Sequence, residues 1–319
     1  MFLTSVTRRG LALGCLLAGL IPLSCHRASR PVSKSELHHP SWRTLTDGLG
    51  REVTFASSLE RVVSLAPSNT EILFAIGAGP LVAACDDRSD YPPQVAGLPR
   101  IGSTDGKLNR EKMVALEPDL VLAAEINSQE IVKSIEDLGL KVFLLKNPTT
   151  FEALYENMAL LGQITGHATQ AEHLVFSLKK RIEEVKERLK GVASRPRVFY
   201  ELDCSDPTKP WTTGPGTFLD ALITLAGGVN FAASSPQAYP RVALETILRQ
   251  DPEIIILGDA MAGVTPDSLA HRAGWDQLSA VRGGRVYAFD DNLASRPGPR
   301  LVDGLESLAR LLHPDAFRK

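Results

Sequence analysis

One phrase occurs twice in this chain, once in each half, and it constrains the fold more than any other feature. Glu111 opens E-K-M-V-A-L-E-P-D-L-V-L, and Glu245 opens E-T-I-L-R-Q-D-P-E-I-I-I-L. In each copy a glutamate starts a short stretch of helical period, a proline follows seven residues later (Pro118, Pro252), and an acid then leads into a run of β-formers. Repetition at this scale predicts two similar α/β lobes, each exposing one acid at the same place. A matched pair of charges on one side of a molecule is a geometry for docking, not for chemistry.

The length agrees, because 319 residues exceed the usual size of a single core. With 44% hydrophobic and 23% charged residues and a formal net charge of -2, the chain is neither a disordered acidic segment nor a polycation suited to nucleic acid. Residues 1–25 read as an export signal. Arg8 and Arg9 form a basic start, Leu11 to Leu23 is an apolar run too short to span a bilayer comfortably, and Leu23-Ser24-Cys25 ends it. The small residue before Cys25 resembles a bacterial lipoprotein signal, in which that cysteine is lipidated and becomes the mature N-terminus. Pro22 departs from the aliphatic residue usual there, and cleavage as an ordinary secreted protein is the alternative. The twin arginines also suit a folded-protein export route. Residues 26–41, polar and basic, read as a flexible tether. The expected product is exported, in the periplasm or on the outer face of the cell membrane.

From residue 42 the pattern alternates between β and α. Asp47-Gly48 between β-formers signals a hairpin. Strands are expected at Arg61 to Leu65, Leu81 to Ala84, Leu120 to Ala123 and Val142 to Leu145, with a helix at Thr70 to Ile76 whose start is marked by a capping-box spacing of Ser68 and Glu71. Helices follow at Phe151 to Thr165 and Thr169 to Lys190. The second has neither Gly nor Pro and is long enough, at roughly 33 Å, to run the width of a small domain. Strand Arg197 to Leu202, helices Phe218 to Ala226 and Leu244 to Arg249, strands Glu253 to Leu257 and Arg285 to Phe289, and helix Leu301 to Leu312 complete the second half. The fold class is therefore α/β: an N-terminal lobe over 42–165, an interlobe helix over 166–191 and a C-terminal lobe over 192–319. Loops at strand ends face a common cleft in such folds. Cys85 and Cys204 fall one per half and are expected to stay unpaired, and no CxxC or CxxH spacing offers a zinc site.

Four segments resemble the class III substrate-binding proteins of ABC importers, the family that includes the periplasmic vitamin B12-binding protein and ferric-siderophore and haem binders. They are R-V-V-S-L-A-P-S-N-T-E-I-L-F-A-I-G-A-G at 61 to 79, R-S-D-Y-P-P at 88 to 93, I-G-S-T-D-G-K-L-N-R-E-K-M-V-A-L-E-P-D-L-V at 101 to 121, and W-T-T-G-P-G-T-F-L-D-A-L-I-T-L-A-G-G-V-N at 211 to 230. The resemblance implies two Rossmann-like lobes with central sheets flanked by helices, joined by one long helix. It implies a monomer without a cofactor that captures a small molecule and delivers it to a membrane permease powered by an ATPase. It also implies that Glu111 and Glu245 dock to permease arginines. Taken singly, either acid would only complement the N-terminal end of its helix, worth about 0.3 to 1 kcal/mol; the repetition favours docking for the pair.

Alignment with the B12-binding member puts Trp211 and Tyr239 at two aromatic positions of the cleft. Arg88, Asp105, Ala124, Leu293 and Ala294 stand where that relative has large rings, so part of the stacking surface is missing. The candidate ligand-binding set is Pro67, Ser68, Arg88, Asp105, Trp211, Tyr239, Asn292 and Arg296. Arginines can fork onto carboxylates; the alternative for Arg88 and Arg296 is pairing with Asp87 and Asp291 at the rim. Cobalamin or a related corrinoid is the first ligand, and a ferric siderophore or haem, the latter through Tyr239 or Tyr91, the second. An enzyme is not expected. Glu201, Asp203 and Cys204 cluster near a strand end, but no histidine falls in an expected cleft loop to serve as base.

Overall fold

A computed structural model of the chain describes residues 42–56, 58–103 and 107–318, which belong to one compact unit. Asp105, Cys25 and the whole of the proposed signal and tether lie outside the described residues. The expected hairpin opens it. β1 (Trp42–Thr46) pairs antiparallel with β2 (Glu52–Ala56), and the buried Asp47 holds the turn by accepting from the backbone N–H of Leu49 and Arg51.

The first lobe contains β3 (Val62–Ser64), β4 (Val82–Cys85), β5 (Leu120–Ala124) and β6 (Val142–Leu145) in the all-parallel order β4-β3-β5-β6. The second is built on β7 (Arg197–Asp203), with β10 (Ile254–Leu257) and then β11 (Val286–Ala288) parallel on one side. Two short strands share its other edge, β8 (Trp211–Thr212) antiparallel and β9 (Val229–Asn230) parallel. These two-residue strands carry too little periodicity to be read from sequence. In both sheets the first strand is central, so the chain order reverses beside it and leaves a crevice at the carboxyl ends of β3/β5 and of β7/β10.

The repeated phrase folds into the same local structure twice. After the helix Arg110–Ala115, Glu117 adopts φ 44° before Pro118; after the helix Leu244–Gln250, Asp251 adopts φ 44° before Pro252. The acid beyond each proline then turns its carboxylate onto the start of the central strand. Asp119 accepts from the N–H of Glu60 and Arg61 (both 2.7 Å), and Glu253 accepts from that of Arg197 (2.9 Å). Arg61 and Arg197 in turn donate to the carbonyls of Glu117 (2.8 Å) and Asp251 (3.2 Å). The acid is thus needed because the first N–H groups of the central strand would otherwise lack an acceptor.

Helices Phe151–Thr165 and Ala168–Leu189 form an antiparallel pair whose close crossing requires Gly162, where an added Cβ would lie 2.6 Å from that of Ala171. The long helix buries Ala171, Leu178, Ile182 and Val185, a helical spacing, in a core continuous with both sheets. Phe151 meets Phe218 of the second lobe edge-on, with centroids 5.0 Å apart, and Arg181 reaches Asp303 (2.6 Å) and Glu306 (2.8 Å) on the last helix, Leu301–Leu312. No helix among the described residues is long and apolar enough to cross a membrane.

The two left-handed residues give a test of the repeat. Glu117→Gly should stabilise by about 0.5–1 kcal/mol, the left-handed penalty of about 1–2 kcal/mol less glycine's own entropic cost. Asp251→Gly should gain nothing, because the Asp251 carboxylate also accepts from Ser279 N–H (2.8 Å). Urea denaturation of the two variants measures the difference.

Candidate functional site

The crevice of the first lobe is fixed by buried polar side chains. Asn127 donates to the carbonyl of Leu65 (3.2 Å) and accepts from Ala124 N–H (2.8 Å), tying the loop after β5 to the one after β3, while Asn69 donates to Ala123 (3.0 Å). Thr70 donates to Ser64 Oγ (2.8 Å) and lies 2.8 Å from Ser89 Oγ; Ser89 donates to Asp86 Oδ2 (2.6 Å). Because every member is buried and partnered, these loops enter the cleft already ordered.

Across from them, the second lobe fills its crevice with charge. Glu201 is fully buried and accepts two bonds from Arg272 (2.9 and 2.7 Å). Asp259, just beyond β10, has both carboxylate oxygens buried with no donor among the described residues; burial first, and the charge of Glu201 second, push its pKa up to about 7. The Cys204 thiol is pushed up to about 12 by burial and then by Glu201, the opposite of an activated nucleophile. Asp203 and Asp206 serve as turn formers, accepting from Ser205 and Thr208 N–H.

Trp211 and Tyr239 project from one ridge, since Thr212 N–H donates to Pro240 (3.0 Å) and Gly214 N–H to Ala238 (2.7 Å). Trp211 is 40% exposed with the Arg241 guanidinium 5.7 Å from its ring centre, and Tyr239 is 53% exposed. Tyr239 lines a cavity of about 280 Å³ between the lobes, with Asn147, Pro148 and Thr149 on one side and Ala294, Ser295 and Pro297 on the other. This volume is at the low end for small-ligand pockets.

Charge crosses between the lobes at the base of the cleft. The Glu71 carboxylate, 2% exposed, is forked by Arg300 (2.9 and 2.5 Å) and lies 3.5 Å from Arg296. Arg296 also pairs with both oxygens of Asp90 and donates to the carbonyl of Arg88 (3.4 Å). Arg300 lies over the Tyr91 ring, 4.0 Å from its centre. Gly298, between the two arginines, lets the loop approach, since an added Cβ would sit 3.3 Å from Glu71 Oε2.

Several sequence expectations change here. Ser68 and Glu71 do not form a capping box. The helix starts a turn earlier, at Pro67, with Ala66 as its cap and no side-chain capping bond, so Ser68 is buried and Glu71 faces the other lobe. Arg296 pairs with Asp90 and Glu71 rather than Asp291, which accepts from Tyr200 OH (2.7 Å). Asp87 accepts from Gly102 N–H. Arg88 is exposed, with its own N–H donating to Asp86 (2.8 Å), and Pro67 is half-buried. Asn292 donates to the sulfur of Met261 (3.3 Å), which is 63% exposed. Tyr91 faces a second cavity, of about 380 Å³, against the long helix, and so does not share Tyr239's cavity. Glu111 and Glu245 are both exposed in the first turn of their helices. Each helix runs back toward its strand's start, so its first turn lies at the end of the lobe where strands open into the cleft. Glu71, Asp90 and Arg300 were missed. R-S-D-Y-P-P and R-P-G-P-R held the signal, since each sets charges on a proline-stiffened turn.

Residues 62–293 match the family model described as periplasmic binding protein, and the chain belongs to that family, one of solute binders rather than catalysts. It is 30% identical over 320 residues to an uncharacterized ABC transporter substrate-binding lipoprotein, YvrC, of Bacillus subtilis, covering 98% of this chain and 99% of that protein. The structure of the vitamin B12-binding protein BtuF of Vibrio cholerae superposes with a TM-score of 0.67 at 29% identity, covering 82% of this chain and 99% of that one. The periplasmic heme-binding protein RhuT of Roseiflexus sp. RS-1 does so with 0.72 at 27%, covering 81% and 99%. Cys85 and Cys204 are free thiols, as their positions in separate lobes implied.

The orphaned Asp259 carboxylate makes stability depend on pH. Its pKa is raised in the folded state from the ordinary 3.8, so its stabilising contribution is complete below about pH 4 and is lost as pH rises toward 7. Asp259→Asn should remove that dependence and stabilise the protein at pH 7.5 by about 1–3 kcal/mol, because the amide carries no charge to bury beside Glu201. Thermal melts of both proteins from pH 4 to 8 check the slope.

Proposed function

We propose that this chain is the substrate-binding protein of an ABC importer, capturing cobalamin or a related corrinoid between its lobes and delivering it to a membrane permease and its ATPase. The observation that carries the ligand class is the exposed Trp211 and Tyr239 ridge beside the interlobe cavity, a surface suited to the flat, largely apolar face of a macrocycle. The B12-binding relative supports the same choice. Haem or a ferric siderophore is the second reading. It is favoured by the accessible phenol of Tyr239, a group able to ligate haem iron, and by the heme-binding neighbour.

Delivery rests on Glu111 and Glu245. Neither has an ion-pair partner among the described residues, and both stand in matched positions of a repeated local structure. A lipid on Cys25, followed by the tether, would hold the protein at the membrane where such docking takes place. The protein acts as a monomer, one copy presenting both acids.

Titration with cyanocobalamin, haemin and a panel of ferric siderophores, followed by tryptophan fluorescence, tests the assignment. Cyanocobalamin should quench saturably, and Trp211→Phe should remove most of the quenching. Saturation by haemin alone, with a Soret shift, would move the assignment to haem, and silence with every ligand would overturn the corrinoid, haem and siderophore readings together. In reconstituted uptake, Glu111→Ala with Glu245→Ala should abolish transport and leave affinity intact.

A further inference from the structure

The base of the cleft holds two arginines and two carboxylates, and this pairing bears on which ligands the cleft accepts. Arg296 lies between Ser295 and Pro297, two residues that line the Tyr239 cavity, and its side chain crosses to the first lobe. Its two terminal nitrogens are already engaged: Asp90 accepts from both, Glu71 lies 3.5 Å away, and the Arg88 carbonyl accepts at 3.4 Å. Its side chain is only 17% exposed, whereas that of Asp90 is 60% exposed. Arg300 is likewise committed to Glu71.

We propose, on the reading that this cleft binds a macrocycle, that Asp90 determines ligand charge by occupying Arg296, so that the cleft takes amide-bearing ligands in preference to carboxylate-bearing ones. A ligand carboxylate reaching Arg296 would only exchange one carboxylate partner for another and gain almost nothing net. It would also bring a third negative group beside Asp90 and Glu71. A neutral amide meets neither obstacle and can use the backbone and hydroxyl groups around the cavity. Asp90 acts through Arg296, without needing to touch the ligand itself, and is a specificity-determining residue in that sense. Its largely exposed side chain makes it replaceable without disturbing the core.

The test compares two corrinoids of the same macrocycle that differ in peripheral charge, dicyanocobinamide with side-chain amides and dicyanocobyrinic acid with carboxylates. Wild-type protein should prefer the amide form. Asp90→Asn should bind the carboxylate form about tenfold more tightly with little change for the amide form, and adding Arg296→Gln should erase the gain. Equal changes for both corrinoids, no change for either, or a gain that survives Arg296→Gln would overturn the proposal. Should the wild-type protein bind neither corrinoid, the corrinoid reading fails on its own, and haemin decides the charge question through its propionates. A haemin gain in Asp90→Asn that Arg296→Gln removes upholds the role of Asp90, and the lack of such a gain overturns it.

Discussion

The buried Glu71 carboxylate is the constraint on which the cleft depends. A charge withdrawn from water is tolerated only when its partner's geometry is good and its remaining lone pairs are filled. Glu71 meets both conditions with groups from the opposite lobe, taking the Arg300 fork and the nearby Arg296. Losing one partner of such a pair costs about 3–5 kcal/mol, several times the about 0–1 kcal/mol of a single surface ion pair. The lobes are therefore held by this ion cluster at the base of the cleft, by the helix Ala168–Leu189 with its Arg181 clamp, and by the Phe151–Phe218 contact. The cavity that Tyr91 faces lies between the ion cluster and the long helix.

The lobes share a construction and differ in their linings. Both use a left-handed residue, a proline and an acid to close the end of a short helix onto the first N–H of the central strand. At the opposite end they diverge. The first lobe presents a satisfied network of Asn, Ser and Thr, while the second buries the Glu201–Arg272 pair and raises the Trp211–Tyr239 ridge above it. One wall of the cleft is thus rigid and polar and the other aromatic, which suits a flat ligand with polar edges better than a small symmetric ion. Glu111 and Glu245 belong to the shared construction, so these two acids match even though the linings of the crevices do not.

Much of this was legible in the order of residues. The helices Phe151–Thr165 and Leu301–Leu312 and the strand Val142–Leu145 follow from hydrophobic period alone, because each buries one face or both against a neighbouring layer. The Asp47 turn and the Glu111 and Glu245 positions were legible for the same local reason. The Ser68–Glu71 spacing misled because Ser-x-x-Glu fits a capping box whenever a helix begins at that serine. Here Pro67, with its preset φ, begins the helix before it and carries Glu71 toward the other lobe.

The sequence by itself determined the two lobes, the long helix between them and the matched acids, since these depend on interactions within a few turns of chain. Tertiary structure alone decided which charges remain available in the cleft. Glu71 and Arg300 are 229 residues apart, and Asp90 and Arg296 are 206 apart. No local period records such pairings, because they form only where folding brings two separate lobes together and the cost of burying one charge selects its partner.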